Sequence, residues 1–210
     1  MDFQKPHINN LRIFKTSGSL ETNTYVFNIK DELYIIDPGV GIGKYLDENC
    51  EYNILITHGH YDHIGGLTEV KVKKLFISPE DSRCLYEPSE NLSVLFDEHF
   101  SMDIQWYNID EYFNTIPAPG HTEGSRIITF DGYIFTGDVV FSNTVGRADL
   151  YYDQSKRKTM KIEMVKTIKY LNEFFKSYPN DWLVCPGHGE IVSIEKLFTL
   201  NPFFKRNTPE

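Results

Sequence analysis

The chain is predicted to fold as an α/β protein, with two strand-rich halves and helices packed outside them. Three observations predict this. Short apolar runs bounded by turn residues recur in both halves, and one stretch near the end holds a helical period. The length of 210 residues, with 40% hydrophobic content, is enough for a substantial core. No low-complexity linker or strong internal repeat interrupts the pattern, so residues 1–210 are expected to form a single domain.

Taken in order, strands are expected over 11–14, 25–29, 33–36 and 54–57, each an apolar run ended by turn residues. A helix over 64–70 follows. The run Leu75-Phe76-Ile77 stops at Pro79, a favoured first helical position, which predicts a helix over 80–85. Further strands are expected over 104–109, 113–116, 126–130, 133–136 and 182–184. Asp131-Gly132 is a strong two-residue hairpin signal between two of them. From Thr159, the residues Ile162, Val165, Ile168, Leu171, Phe174 and Phe175 recur at helical spacing until Pro179 ends the helix. The cluster Lys156-Arg157-Lys158 reads as a solvated loop before that helix.

The segment His58-Gly59-His60-Tyr61-Asp62-His63 follows strand 54–57 and packs four metal-capable side chains into six residues. A strand holds its neighbours rigidly, and the turn that ends it splays side chains toward one point. His58 and His60 would then serve one cation, and Asp62 and His63 a second nearby. Imidazole and carboxylate are ligands suited to zinc. Loops also collect polar residues by chance, but the rest of the chain decides against that. His121 in Pro-Gly-His-Thr, Asp138 in Phe-Thr-Gly-Asp and His188 in Pro-Gly-His-Gly each follow or end a short apolar segment beside a glycine. His7 and His99 lack such context and are read as solvated or locally hydrogen-bonded.

This arrangement resembles the metallo-β-lactamase superfamily, marked by His-x-His-x-Asp-His followed by His, Asp and His on later strands. The resemblance covers nearly the whole chain. It implies a four-layer αβ/βα sandwich, which two strand-rich halves with outer helices fit. It also implies that His58, His60 and His121 hold a first metal, that Asp62, His63 and His188 hold a second, and that Asp138 bridges both. Asn23 in Glu21-Thr22-Asn23-Thr24-Tyr25 and the turn Ile36-Asp37-Pro38-Gly39 resemble the two opening hairpin motifs. Asp37 would accept from the far ring nitrogen of a metal-bound imidazole, although Asp-Pro-Gly is also what a plain turn contains.

Within the superfamily, residues 137–141, residues 145–150 and Asn201-Pro202-Phe203 resemble the small glyoxalase II-like (hydroxyacylglutathione hydrolase-like) hydrolases. Ala148 departs from their usual hydroxyl residue. Arg147 and Asp149 are read as an ion pair closing a loop. The chain ends soon after His188, without the helical domain that supplies glutathione contacts in full-length glyoxalase II, so glutathione specificity does not follow.

The chemistry implied is hydrolysis. Two divalent cations about 3.5–4 Å apart can hold a hydroxide between them, lowering the pKa of the bound water toward about 7. Zinc is the first expectation, with iron or manganese as alternatives. The bridging hydroxide would attack a thioester or ester carbonyl, with Asp62 as the catalytic residue that orients it and assists proton transfer. A thiolate needs little protonation to leave, so a thioester asks least of the site. The alternative is a mononuclear iron persulfide dioxygenase using His58, His121 and Asp138, a two-His-one-carboxylate set. A non-catalytic metal-binding module is disfavoured because all seven ligands are kept.

A net charge of −9 argues against a nucleic-acid partner, which needs a clustered positive field. The expected partner is a small-molecule substrate. Cys50, Cys84 and Cys185 are an odd set without a close pair, implying no disulfide framework. Cys185 ends an apolar strand and reads as a buried thiol, not a ligand. No apolar run is long enough to span a bilayer, so no membrane association and a cytoplasmic location are expected. Tyr151 and Tyr152 are placed near the pocket mouth, and Phe198, Phe203 and Phe204 near an edge of the site.

Overall fold

The computed structural model describes residues 7–204, so the two ends of the expected 1–210 unit lie outside the described residues. Among the described residues, eleven strands form two sheets. The first takes β1 (Asn9–Thr16), β2 (Thr22–Ile29), β3 (Glu32–Ile36), β4 (Tyr52–Leu55), β5 (Val72–Ile77) and β6 (Trp106–Asn108) in sequence order. Its first three strands are antiparallel neighbours, and β3 to β6 are parallel. The second sheet runs β11-β10-β9-β8-β7. It comprises β7 (Thr115–Pro117), β8 (Arg126–Phe130), β9 (Tyr133–Gly137), β10 (Leu183–Pro186) and β11 (Val192–Ser193).

Alternation along the strands sorts side chains between three cores. Ile35 and Ile54 point to the outer core of the first half, whereas Ile36 and Leu55 point to the core between the sheets. In the second sheet, Ile127, Ile134 and Val184 face the helix side. Ile128, Phe135 and Cys185 face inward. Both faces of these strands are therefore buried, which is why they read as unbroken apolar runs. Aromatic pairs knit the inner layer: Phe27 meets Phe130 at 5.4 Å and Phe135 at 6.0 Å between ring centroids. The result is the expected four-layer αβ/βα sandwich.

The Asp131-Gly132 hairpin forms as expected, with Phe130 paired to Tyr133 and Gly132 at φ +81°. Elsewhere the helical layers differ from the sequence reading. The helix expected over 64–70 is instead a single turn, α1 (Tyr61–Ile64), continued as a 3-10 turn over Gly65–Glu69. Packing explains the break. The Gly66 amide donates to the Pro38 carbonyl, and a Cβ on Gly66 would sit 2.3 Å from the Gly39 carbonyl oxygen. Gly66→Ala should cost about 3 kcal/mol and lower the melting temperature by roughly 6–12 °C, checked by thermal unfolding. The expected helix over 80–85 shrinks to a 3-10 turn, Ser82–Leu85. The strand expected over 104–109 keeps only Trp106–Asn108.

The long helix α2 (Gln154–Lys176) starts before Thr159 because the Asp153 side chain accepts from the Lys156 amide at 2.7 Å and caps it. Lys156-Arg157-Lys158 therefore lies in the first turns of the helix, not in a preceding loop. Its buried stripe is Met160, Met164, Thr167, Ile168, Leu171 and Phe175, leaving Ile162 and Val165 exposed. The helix crosses the 119–121 loop closely: Thr167 Oγ1 donates to the Pro119 carbonyl at 2.7 Å, and a Cβ on Gly120 would meet Met164 Cα at 2.7 Å. A final helix, α3 (Ile194–Leu200), and strand β11 were not anticipated. Phe204 stacks on Phe175 at 5.5 Å and Phe198 packs beside it, so these rings close the outer core, not the site. Phe203 is exposed.

Candidate metal centre

Every candidate ligand follows the carboxyl end of a strand. His58 to His63 come after β4, His121 after β7, Asp138 directly after β9 and His188 after β10. Since β7, β9 and β10 run in one direction, their loops open on the same rim. The rings of His58, His60, His63 and His121 consequently lie 4.1–4.8 Å apart where they touch, and His63 lies 5.4 Å from His188. All seven sequence-predicted side chains are brought together.

Four of the imidazoles are fixed through one ring nitrogen, which aims the other inward. Nδ1 of His63 meets Asp37 Oδ2 at 2.9 Å, Nδ1 of His58 meets Thr57 Oγ1 at 3.1 Å, and Nδ1 of His121 meets the Arg147 carbonyl at 2.8 Å. Nδ1 of His188 meets the Leu20 carbonyl at 2.8 Å. Asp37 is buried, at φ +53°, and also accepts from the Thr57 amide at 2.8 Å and hydroxyl at 2.6 Å. It is thus a buried acceptor and more than a turn residue. Asn23 supports the His188 loop, donating to the carbonyls of Pro186 at 2.9 Å and Gly189 at 3.1 Å, while Tyr25 donates to Pro186 at 2.6 Å.

The inward donors fall into two triads. One atom each from His58, His60 and His121 lies within 4.8 Å of the others, and so does one each from Asp62, His63 and His188. Asp138 sits between them: Oδ1 is 3.4 Å from His63 Nε2, while Oδ2 is 3.6 Å from His121 Nε2 and 3.4 Å from His188 Nε2. A third grouping of Asp37, His58 and His63 is also close, but both Asp37 oxygens already accept hydrogen bonds. Among the described residues, the buried Nε2 atoms of His58, His63 and His121 and Oδ1 of Asp138 have no hydrogen-bond partner. Buried polar atoms are normally satisfied. A convergent set of such imidazole and carboxylate donors fits divalent metal ions.

Electrostatics match that fit. Burial, reinforced by the neighbouring His121, pushes His60 down to about 3, leaving it neutral and able to donate a lone pair. Burial also opposes charge on His188, but Asp138 and Asp62 hold it up at about 9. Burial would raise the Asp62 carboxyl, yet His63 and His188 keep it far below its ordinary range. A metal bound here displaces protons, so its affinity should fall with falling pH. Stripping metal with a chelator should cost about 4 kcal/mol at each site held at a thousandfold excess over its Kd, lowering the melting temperature by roughly 8–16 °C. A scan with and without chelator checks this.

The other flagged residues resolve simply. Arg147 and Asp149 form an exposed ion pair at 2.9 Å, and it is the Arg147 carbonyl that serves the site. Asn201 donates at 2.8 Å to the carbonyls of Phe141 and Thr144, bracing the turn after Asp138. Cys185 faces the inter-sheet core, where burial pushes its thiol up, and all three cysteines are free. His99 is exposed, and His7 lies 3.5 Å from Asp131. A cleft of about 210 Å³ opens beside His60, lined by Tyr151, Tyr152, Glu90, Glu123 and Lys156. Sequence reasoning missed Thr22, whose hydroxyl donates to Asp62 Oδ2 at 2.9 Å, and Asp81. Thr22 lies inside the 21–25 motif, where only Asn23 stood out, and a lone Asp such as Asp81 outside a motif carries no signal for such a role.

Comparisons with known proteins agree with this geometry. The sequence pattern of the Metallo-beta-lactamase superfamily matches residues 53–188. A probable metallo-hydrolase of Streptococcus pyogenes serotype M6 is 29% identical, over 92% of this chain and 90% of the relative. The hydroxyacylglutathione hydrolase GloC of Haemophilus influenzae is 25% identical, over 92% of this chain and 97% of the relative. The crystal structure of the BLEG-1 B3 metallo-beta-lactamase superposes with a TM-score of 0.75 at 24% identity, covering 92% of this chain and 98% of that one. With the pattern spanning both triads and Asp138, the chain belongs to the metallo-beta-lactamase superfamily.

Proposed function

We propose that this metal-dependent hydrolase cleaves a small thioester or ester at a two-metal centre, with zinc as the first metal to test. The carrying observation is that three buried imidazole nitrogens and one Asp138 oxygen converge without hydrogen-bond partners among the described residues. His58, His60 and His121 would hold one cation, Asp62, His63 and His188 the other, and Asp138 both. Bound there, the cations supply an ionised water at neutral pH and a positive charge for the carbonyl oxygen. The chain's own part is orientation. Thr22 Oγ1 fixes the Asp62 carboxylate, which in this reading would take a proton from the attacking water and return it to the leaving group. The similarity to hydroxyacylglutathione hydrolases supports a thioester, whose thiolate leaves with little help.

The cleft beside His60 is the proposed substrate entrance. Glu80, Asp81, Glu90, Glu123 and Asp153 line it against the single cation Lys156. Coulomb repulsion there disfavours multiply anionic substrates. The alternative, a mononuclear iron dioxygenase using His58, His121 and Asp138, draws on the same cluster and is separated by the oxygen-uptake arm of the test. A cytoplasmic location belongs to the same proposal; among the described residues, no helix is long and apolar enough to cross a membrane.

The test is a hydrolysis screen of zinc-loaded protein on S-D-lactoylglutathione, simpler thioesters, lactones and phosphodiesters. Turnover of thioesters above all others is expected. Fully loaded protein that turns over none of the thioesters or esters, or iron-loaded protein that consumes oxygen with glutathione persulfide, would overturn the reading.

A further inference from the structure

Asp81 lies outside every motif that the sequence displays, yet it is 3% exposed. It directly precedes the 3-10 turn Ser82–Leu85 but does not cap it, because its carboxylate is spent elsewhere. Oδ2 accepts from the Gly59 amide at 2.9 Å and from the Thr122 hydroxyl at 2.7 Å, and Oδ1 accepts from the Gly124 amide at 2.8 Å. Gly59 separates His58 from His60, and Thr122 follows His121. One carboxylate therefore ties the ligand loop of the first sheet to the ligand loop of the second. Two glycines permit the approach: a Cβ on Gly59 would sit 2.4 Å from Cys84 Cβ, and one on Gly124 would sit 2.5 Å from Asp81 Oδ1.

The two buried carboxylates around the centre divide the work. Asp37 reaches His63 directly and His58 through the Thr57 hydroxyl. It makes no bond to the His60 or His121 side. Those two rings stand 4.5 Å apart. Asp81 joins their loops directly at Gly59 and Thr122. A second link, from the Arg126 amide to the Thr57 carbonyl at 2.8 Å, lies further back in the same two loops. The geometry points to Asp81 as a positioning residue that sets the spacing of His60 and His121, and thereby the metal affinity of the His58/His60/His121 triad. An Asn at this position would turn an amide NH2 against one of three donors and release one loop. This inference rests on the reading of that triad as a metal site, not on what the enzyme hydrolyses.

The test titrates zinc into metal-free protein against a chromophoric chelator, resolving two affinities. The step lost in His121→Ala belongs to the triad in question. Asp81→Asn should weaken that step roughly 10–100-fold, the usual cost of losing a ligand's supporting partner, and leave the other within about threefold. Thr122→Val removes one of the three bonds and should weaken the same step about tenfold. Asp37→Asn should act on the other step as well. Both affinities unchanged in Asp81→Asn, or both falling equally, would overturn the assignment. If Asp81→Asn does not fold, an unaltered Thr122→Val overturns it equally. Wild-type protein that takes up no zinc defeats the metal reading itself, whereas absent hydrolysis with split affinities leaves Asp81 in its role.

Discussion

Asp138→Asn is expected to lower kcat/KM roughly 10³-fold, because it removes the one carboxylate shared by both triads and with it the charge that both cations need. The two oxygens of Asp138 lie 3.4–3.6 Å from three imidazoles, on His63, His121 and His188. An amide in its place turns an NH2 group toward nitrogens that must themselves donate to metal. Space offers no escape: a Cβ on Gly187 would lie 2.2 Å from Asp138 Oδ1, and one on Gly146 would lie 1.7 Å from its carbonyl oxygen. Both metals should be lost together in the variant. Steady-state kinetics with metal analysis of the same preparation checks this, and activity within tenfold of wild type would contradict it.

Asp37→Asn should act through the protein before it acts on the chemistry. The native carboxylate satisfies the Thr57 amide, the Thr57 hydroxyl and His63 Nδ1 inside a fully buried site. Asn offers a single acceptor and a donor that faces donors. Each group left unsatisfied should cost about 1–3 kcal/mol. His63 would also lose the acceptor that orients its ring, weakening the Asp62/His63/His188 cation roughly 10–100-fold. Thermal unfolding of the metal-free variant isolates the first effect and zinc titration the second. A variant as stable as wild type would show that Asp37 serves only as a turn.

Strands were legible in the sequence because their two buried faces leave unbroken apolar runs such as Ile54-Leu55-Ile56. Ligands were legible because four of them share one short segment and the others sit beside glycines at strand ends. Helical detail was less so. Two methionines, Met160 and Met164, begin the buried stripe of α2, while the more obviously apolar Ile162 and Val165 face solvent. The helix expected after His63 gives way where Gly66 must meet Gly39, a tertiary contact with no local signature. Least legible were the supports. The carbonyls of Leu20 and Arg147 hold His188 and His121, and any residue type supplies a carbonyl. Asp81 and Thr22 reach across the fold to loops that only three-dimensional packing brings near them.

The account stands on seven side chains forming a paired cation site. Metal content of protein saturated with zinc and then desalted, read by native mass spectrometry, tests it most directly. Two zinc ions per chain are predicted, falling to one in His121→Ala. A wild-type chain that retains one ion or none would contradict the account.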